Sequence, residues 1–222
     1  MIKMVAFDFD GTIADTIPMC IEAFKKAISP YAGHKLTKHE ILQTFGLNEI
    51  GMVKTVVKDN LESALQDFYF YYEEMHNNFM ESFPEVCDLI KYLKEKNVIV
   101  ALITGKGQKS CDISLKKLGM ENYFSDIMVG DEIRLNKAES ILKLLKKYSI
   151  KNDEFYYVGD ALSDVAACRE AGVICLSAVW SDNVELEELK KINPTFIFNN
   201  ISSLKSFLES KLLDVCGEPY HK

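Results

Sequence analysis

The chain has 222 residues, 48% hydrophobic and 27% charged, with only five prolines, a balance that buries a core and excludes a disordered or repetitive protein. Its net charge of −7, with 26 basic residues scattered along the sequence, repels phosphate backbones and argues against nucleic acid as a partner. The apolar run Val98–Ile103 falls far short of the roughly 20 residues of a membrane helix, and Asp8 interrupts any signal-peptide core, so the expected address is the cytoplasm, away from membranes.

Met4–Phe7 reads as a short apolar strand that ends in Asp8-Phe9-Asp10-Gly11-Thr12. From about Asp15 to Ser82 the spacing is helical, opening with Asp15 and Thr16 as cap candidates and Pro18 near the first turn. That predicts a small helical insertion, residues 15–82, into a core built from residues 1–14 and 83–222, with hinges near Asp15–Pro18 and Ser82–Pro84. Within the insertion, the loop Phe45-Gly46-Leu47-Asn48-Glu49-Ile50-Gly51 carries two glycines and no Lys or Arg, and is the expected specificity loop. The aromatic cluster Phe68-Tyr-Phe-Tyr-Tyr72 with Phe79 is too wide for one helix face; it is expected to fill the insertion's core, with one or two tyrosines facing a cleft or a second copy.

After the insertion, Pro84 introduces the helical spacing Val86-Leu89-Ile90-Leu93, and the strand Val98–Ile103 ends in Thr104-Gly105. Helix Ile113–Leu118 closes at Gly119, and strand Ile127–Val129 leads to a helix capped at Asn136, opened by Lys137 and continued by Ala138-Ile141-Leu142-Leu145. Strand Phe155–Val158 ends in Gly159-Asp160, followed by helix Val165–Ala171 with Ser163 as N-cap candidate and Gly172 at its end. Strands Val173–Leu176 and Thr195–Phe198 follow, and Lys211–Lys222 reads as a frayed tail. Strands alternating with helices predict an α/β fold with a doubly wound parallel sheet. The six cysteines (Cys20, Cys87, Cys111, Cys168, Cys175 and Cys216) form no CxxC pair and read as reduced and mostly buried; His34, His39, His76 and His221 form no cluster and read as solvated or locally capped.

In an open parallel sheet, ligands gather at the carboxyl ends of the strands, where this chain places Asp8, Asp10, Thr104, Gly105, Asp160 and Asp164, with Lys137 opening a helix nearby. Gly11 supplies the turn that lets Asp8 and Asp10 flank one site. Four carboxylates against one lysine leave a negative excess that a hard divalent cation relieves, and a few oxygen ligands suit Mg2+. Arg134 and Arg169 are the only arginines, so anions must be held by Lys, backbone amides or the metal.

These motifs resemble the haloacid dehalogenase superfamily of phosphatases: Asp8-x-Asp10-Gly-Thr12 as its first motif, Thr104 as the second, Lys137 as the third and Gly159-Asp160-x-x-x-Asp164 as the fourth. The resemblance spans nearly the whole chain. The insertion resembles the helical C1 cap, and Gly172-Val173 with Val179-Trp180-Ser181 is similar to the phosphoglycolate phosphatase-like branch. It implies Asp8 as nucleophile and Asp10 as general acid then base, with the Asp10 pKa raised by burial or acidic neighbours. It implies Mg2+ on the Asp8 carboxylate, the Asp10 carbonyl and Asp160, supported by Asp164, and phosphoryl oxygens held by Asp10, Gly11, Thr104, Gly105 and Lys137.

The implied activity is hydrolysis of a small phosphorylated metabolite through an aspartyl-phosphate, by a monomer or homodimer. The alternatives are a β-phosphoglucomutase-like phosphomutase, an inorganic pyrophosphatase, or a catalytically silent binding or regulatory protein. Asp10 argues against dehalogenation. Ala138 stands where many relatives carry a proline after the third-motif lysine, and Lys106 and Lys109 are rival cations to Lys137. A phosphonate-cleaving relative would need a cap lysine, for which Lys25, Lys26, Lys54 and Lys58 are candidates.

Overall fold

Met4-Val-Ala-Phe7 is apolar at every position, the pattern of a strand covered on both faces, and it forms the buried centre of the sheet. The computed structural model describes residues 1–79 and 82–213, the side chains of residues 78 and 79 excepted. Its strands are Met4–Phe7 (β1), Ile99–Ile103 (β2), Asp126–Met128 (β3), Phe155–Gly159 (β4), Ile174–Ala178 (β5) and Ile197–Phe198 (β6). All pair in parallel, in the order β3-β2-β1-β4-β5-β6, as the alternation of strands and helices predicts. The strand order reverses beside β1, and such a switch point opens a crevice at the carboxyl ends. Phe7 pairs with Leu102 on one side and Val158 on the other, so β1, β2 and β4 end nearly level.

Period-two alternation then decides where the chemistry faces. Met4 and Ala6 of β1 join a core with Ile141 and Leu144 of Lys137–Tyr148 (α7) and with Val165 and Cys168 of Leu162–Ala171 (α8). Val5 and Phe7 join the opposite core with Leu89 and Leu93 of Val86–Glu95 (α5) and with Leu204 and Leu208 of Ile201–Leu213 (α10). One residue past the strand, Asp8 continues the Met4–Ala6 row towards α7 and α8.

Helices Ile17–Ala32, Lys38–Leu42, Glu49–Val56 and Leu61–Phe79 follow β1 with no strand among them and share a separate apolar cluster, including Phe24, Ile28, Leu36, Val53, Phe68 and Tyr72. The two chain crossings lie side by side: Ala14 and Ser82 form an antiparallel bridge, and Phe83 N–H donates to the Ile13 carbonyl at 2.8 Å. The Trp180 indole N–H holds the Thr12 carbonyl at 3.2 Å while its ring meets Phe83 edge-on. Of the aromatic run, Phe68 and Tyr72 are buried and Phe70 is 59% exposed; the Phe79 side chain lies outside the described residues.

Several local expectations change. Gln108–Leu118 (α6) and α8 end on Gly119 and Gly172 with left-handed backbone, as expected. Asn136 precedes α7, but its amide donates to the Val129 carbonyl at 3.1 Å instead of capping. Ser163 lies inside the first turn of α8, where Asp164 accepts the Ala161 N–H at 3.0 Å. Pro84 lies outside α5, separated from it by Glu85 with φ 69°. Thr16 precedes the first helix, but its hydroxyl goes to Asp10, while Asp15 accepts from Ser181 and Asn183 instead of capping. Helix α10 runs on to Leu213, so Lys211–Leu213 is not a frayed tail; Cys216, Pro219 and His221 lie outside the described residues. Cys20, Cys87, Cys111, Cys168 and Cys175 are free thiols, and among the described residues no helix is long and apolar enough to cross a membrane.

Leu89 is 1% exposed between α5 and the sheet. Leu89→Ala is expected to lower the unfolding free energy by about 2–5 kcal/mol, seen as a lower urea midpoint at unchanged m-value.

Candidate active site

Asp8 leaves β1 with its N–H on the Val158 carbonyl at 2.8 Å, and its Oδ1 accepts the Phe9 N–H at 2.8 Å. Its other oxygen accepts from Lys137 Nζ at 2.8 Å, and the same ammonium reaches Asp164 Oδ1 at 2.6 Å. Asp164 also accepts from the Tyr157 hydroxyl at 3.2 Å, so both of its oxygens are engaged. Asp160 takes the Thr12 hydroxyl at 3.1 Å. Gly11 has φ +76°, and a Cβ there would lie 2.1 Å from Asp160 Oδ2; only glycine turns the chain here and leaves Asp160 its place.

Asp8, Asp160 and Asp164 are buried, with carboxylate oxygens within 4.8 Å of one another. Burial pushes the Asp8 carboxyl up to about 7, against the pull of Lys137 and with added repulsion from Asp164. Burial, with Asp8 and Asp164 beside it, holds Asp160 well above the usual carboxylate range. Burial works against the Lys137 charge, yet Asp164 and Asp8 hold its pKa above the usual lysine value. Three carboxylates around one ammonium form an all-oxygen donor set with unbalanced negative charge, which fits a hard divalent cation.

Asp10 meets a second lysine. Lys106 Nζ lies 2.7 Å from Asp10 Oδ1, and the Thr16 hydroxyl donates to the same oxygen. Burial alone would raise Asp10, but Lys106 and Thr16 bring its carboxyl below the usual value, a correction to the expected upward shift. Lys106 also donates to the Tyr72 hydroxyl at 2.6 Å and sits 5.2 Å from the ring centres of Phe9 and Tyr72. Lys137 and Lys106 therefore hold different aspartates, while Lys109 lies over the Tyr69 ring. Thr104 is 1% exposed, and its hydroxyl accepts the Lys106 N–H at 3.2 Å. Asp8, Asp10, Gly105, Lys137 and Asp160 line a mouth of about 520 Å3; Gly11, Thr104 and Asp164 support it from behind and are not on its wall.

The loop 45–51 does more than border this mouth. Glu49 is buried, and its carboxylate accepts from the Gly107 N–H at 2.7 Å and from the Ser110 and Tyr69 hydroxyls at 2.9 Å. Gly107 is the N-cap position of α6, so a carboxylate from the helical insertion caps a helix of the sheet layer. Asn48 adds its N–H to the Asp131 carbonyl at 2.9 Å and its side-chain amide to the Gly130 carbonyl at 3.1 Å. No local signal marks Glu49, because its partners lie 58 and 61 residues away. Of the two expectations for His76, solvated or locally capped, the structure departs from the first: the ring is 3% exposed, between the local Tyr72 carbonyl, four residues back, and the distant Ser114 hydroxyl, at 2.7 and 2.8 Å. Of the cap lysine candidates, Lys54 pairs with Glu132, and Lys25 and Lys26 border a separate outer groove. Neither they nor Lys58 lines the mouth.

Residues 5–178 match the family model of haloacid dehalogenase-like hydrolases. The chain belongs to the haloacid dehalogenase-like hydrolase family. Phosphoglycolate phosphatase 1 of Pseudomonas aeruginosa is 26% identical over 214 residues, spanning 91% of this chain and 78% of that protein. Pyrophosphatase PpaX of Bacillus pumilus is 26% identical over 205 residues, spanning 91% and 94%. The crystal structure of a predicted phosphoglycolate phosphatase from Haemophilus somnus has a TM-score of 0.78 at 19% identity, covering 93% of this chain and 98% of that one, a likeness of fold. The hydrolase thus carries its family's sheet, and its carboxylates converge at the switch point.

Two outcomes are expected. Gly11→Ala, by displacing Asp160, should weaken Mg2+ binding at least about tenfold by titration calorimetry. Burial also lowers His76 to about 4, so the unfolded chain binds a proton that the folded chain refuses. Stability is then fully present above the unfolded value near 6.5 and is lost as pH falls towards 4, by up to about 3 kcal/mol. Urea unfolding from about pH 7 to pH 4 should show that loss reduced in His76→Gln.

Proposed function

We propose that this hydrolase is a Mg2+-dependent phosphatase of small phosphorylated metabolites, working in the cytoplasm as a monomer or homodimer. The observation that carries the proposal is the convergence of Asp8, Asp160 and Asp164 around Lys137, with Asp10 alongside on the Lys106 ammonium. The Asp8 carboxylate, the Asp10 carbonyl and Asp160 would hold the cation, whose chemistry is to neutralise these carboxylates and the phosphoryl charge. Asp164, which accepts from Lys137, the Tyr157 hydroxyl and the Ala161 N–H, keeps Lys137 against Asp8.

Asp8 bonds to phosphorus as the ester P–O bond breaks, and Asp10 gives a proton to the leaving oxygen. Water then attacks the aspartyl-phosphate, Asp10 takes the proton, and the bond from phosphorus to Asp8 breaks to release inorganic phosphate. Lys137 and the backbone at Asp10 and Gly105, which line the mouth, are the donors for the phosphoryl oxygens, with Thr104 and Gly11 holding that backbone from behind. Lys106 and the Thr16 hydroxyl favour the ionised form of Asp10, and an approaching phosphate dianion offsets that ammonium in the direction that lets Asp10 carry a proton. Residues 15–82 act as a cap over a core of residues 1–14 and 83–222, hinged where Ala14 pairs with Ser82. The relatives named for phosphoglycolate and for pyrophosphate hydrolysis support phosphoryl transfer to water.

The test is phosphate release from a panel of phosphorylated metabolites. Asp8→Asn should lose at least about 10³-fold in activity, and EDTA should abolish turnover that Mg2+ restores. Retained turnover in Asp8→Asn would remove the nucleophile assignment, and silence across the panel would favour the binding-protein alternative.

A further inference from the structure

Past Asp10 the mouth continues inward, sharing Asp10, Ile17, Phe45, Gly46 and Gly105 with a second cavity of about 110 Å3. Its walls are mostly apolar: Ile17, Phe24, Leu47, Met52 and Phe68, all from the helical insertion. The charged groups on its surface are already engaged. Lys106 is held by Asp10 and Tyr72, and Glu49 accepts from Gly107, Ser110 and Tyr69. Two carboxylates, Asp10 and Glu49, stand there against one ammonium, so the cavity's own charge is negative and no unpaired cation lines it among the described residues.

We propose that this inner cavity receives the leaving group of the substrate, and that the group it selects is small, uncharged and apolar: the alcohol of a short-chain alkyl phosphate. The inference rests on the phosphatase reading and deepens it. A leaving group bearing a carboxylate or a second phosphate would meet the net negative wall, and would bind only by breaking the Lys106–Asp10 pair, which leaves a buried carboxylate uncompensated. An uncharged alcohol asks for nothing from those groups and exchanges water for Ile17, Phe24, Met52 and Phe68. The volume is smaller than the roughly 150 Å3 apolar cavity that takes up benzene, which limits the occupant to a few carbons. Lys38, which lines the outer mouth together with Lys137, is exposed, and neither lysine lines the inner cavity.

The experiment compares kcat/KM of the full chain with Mg2+ on methyl, ethyl and propyl phosphate, on 2-phosphoglycolate and on pyrophosphate, with Asp8→Asn as the blank. Within the alkyl series kcat/KM should rise about fourfold per buried methylene, and propyl phosphate should exceed both anionic substrates. Leu47→Lys, which adds a cation to the cavity wall outside the catalytic groups, should shift the preference towards 2-phosphoglycolate by at least about tenfold. A flat alkyl series, or an anionic substrate matching or exceeding propyl phosphate, overturns this inference and leaves the phosphatase intact. Absence of phosphate release above the blank from every compound overturns the phosphatase reading itself, and this inference with it.

Discussion

Buried carboxylate charge is what the rest of this site has to accommodate. Asp8, Asp10, Asp160 and Asp164 stand at the ends of two neighbouring strands, and isolated charges at that depth cost several kcal/mol each. Two lysines divide the burden. Lys137 spans Asp8 and Asp164, while Lys106 takes Asp10. The division leaves the aspartates chemically unequal: burial and crowding raise Asp8, whereas an undivided ammonium and the Thr16 hydroxyl lower Asp10. Two carboxylates two residues apart in sequence are thereby fitted for different roles.

Lys106 ties this electrostatic arrangement to the helical insertion. Its ammonium is held by Asp10 on the sheet side and by Tyr72 of the insertion, and its neighbour Gly107 donates to Glu49, also of the insertion. Tyr72 in turn shares a hydrogen bond with Ser114, which meets His76. Withdrawing the insertion would break the Glu49 cap on α6 and strip Lys106 of its hydroxyl partner together. The packing of the insertion and the placing of the Lys106 ammonium beside Asp10 thus depend on the same side chains.

How much of this was legible follows from the range of each interaction. Asp8, Asp160 and Lys137 could be read because the rule of strand ends needs only the strands, and strand-helix alternation is a local pattern. Asp164 was legible as a supporting acid, but its capping of Ala161 displaced Ser163 from the role its hydroxyl suggested. Lys106 was visible only as a rival to Lys137, since four acids counted against one lysine hid the case in which both lysines serve. The direction of the Asp10 shift was missed for the same reason. The partners of Glu49, Tyr72 and His76 were illegible in kind, each between 34 and 61 residues away, and periodicity carries no information about such pairs; that a tyrosine of the aromatic run faces the cleft was one of the readings, and Tyr72 does so. A histidine without a Cys or His neighbour reads as solvated or locally capped; the carbonyl one helical turn back is such a local partner, while the serine of α6 that takes the other ring nitrogen is not legible from the sequence.

The same exhaustion of polar groups bears on what the site can recognise. A side chain reads a ligand only with donors, acceptors or charge not already committed. Around Asp10 the Lys106 ammonium, the Glu49 carboxylate and the Thr16 hydroxyl are paired with groups of the protein itself, so on the proposed reading discrimination beyond the phosphoryl group falls to shape and to the apolar side chains between them. Such walls distinguish neighbouring alcohols weakly but reject a second charge strongly, because admitting one means dismantling the pairs that hold the cavity closed. Charge economy at the strand ends thus reaches outward from the phosphoryl site: Lys106, which offsets the Asp10 charge, is already held by that carboxylate and by the Tyr72 hydroxyl.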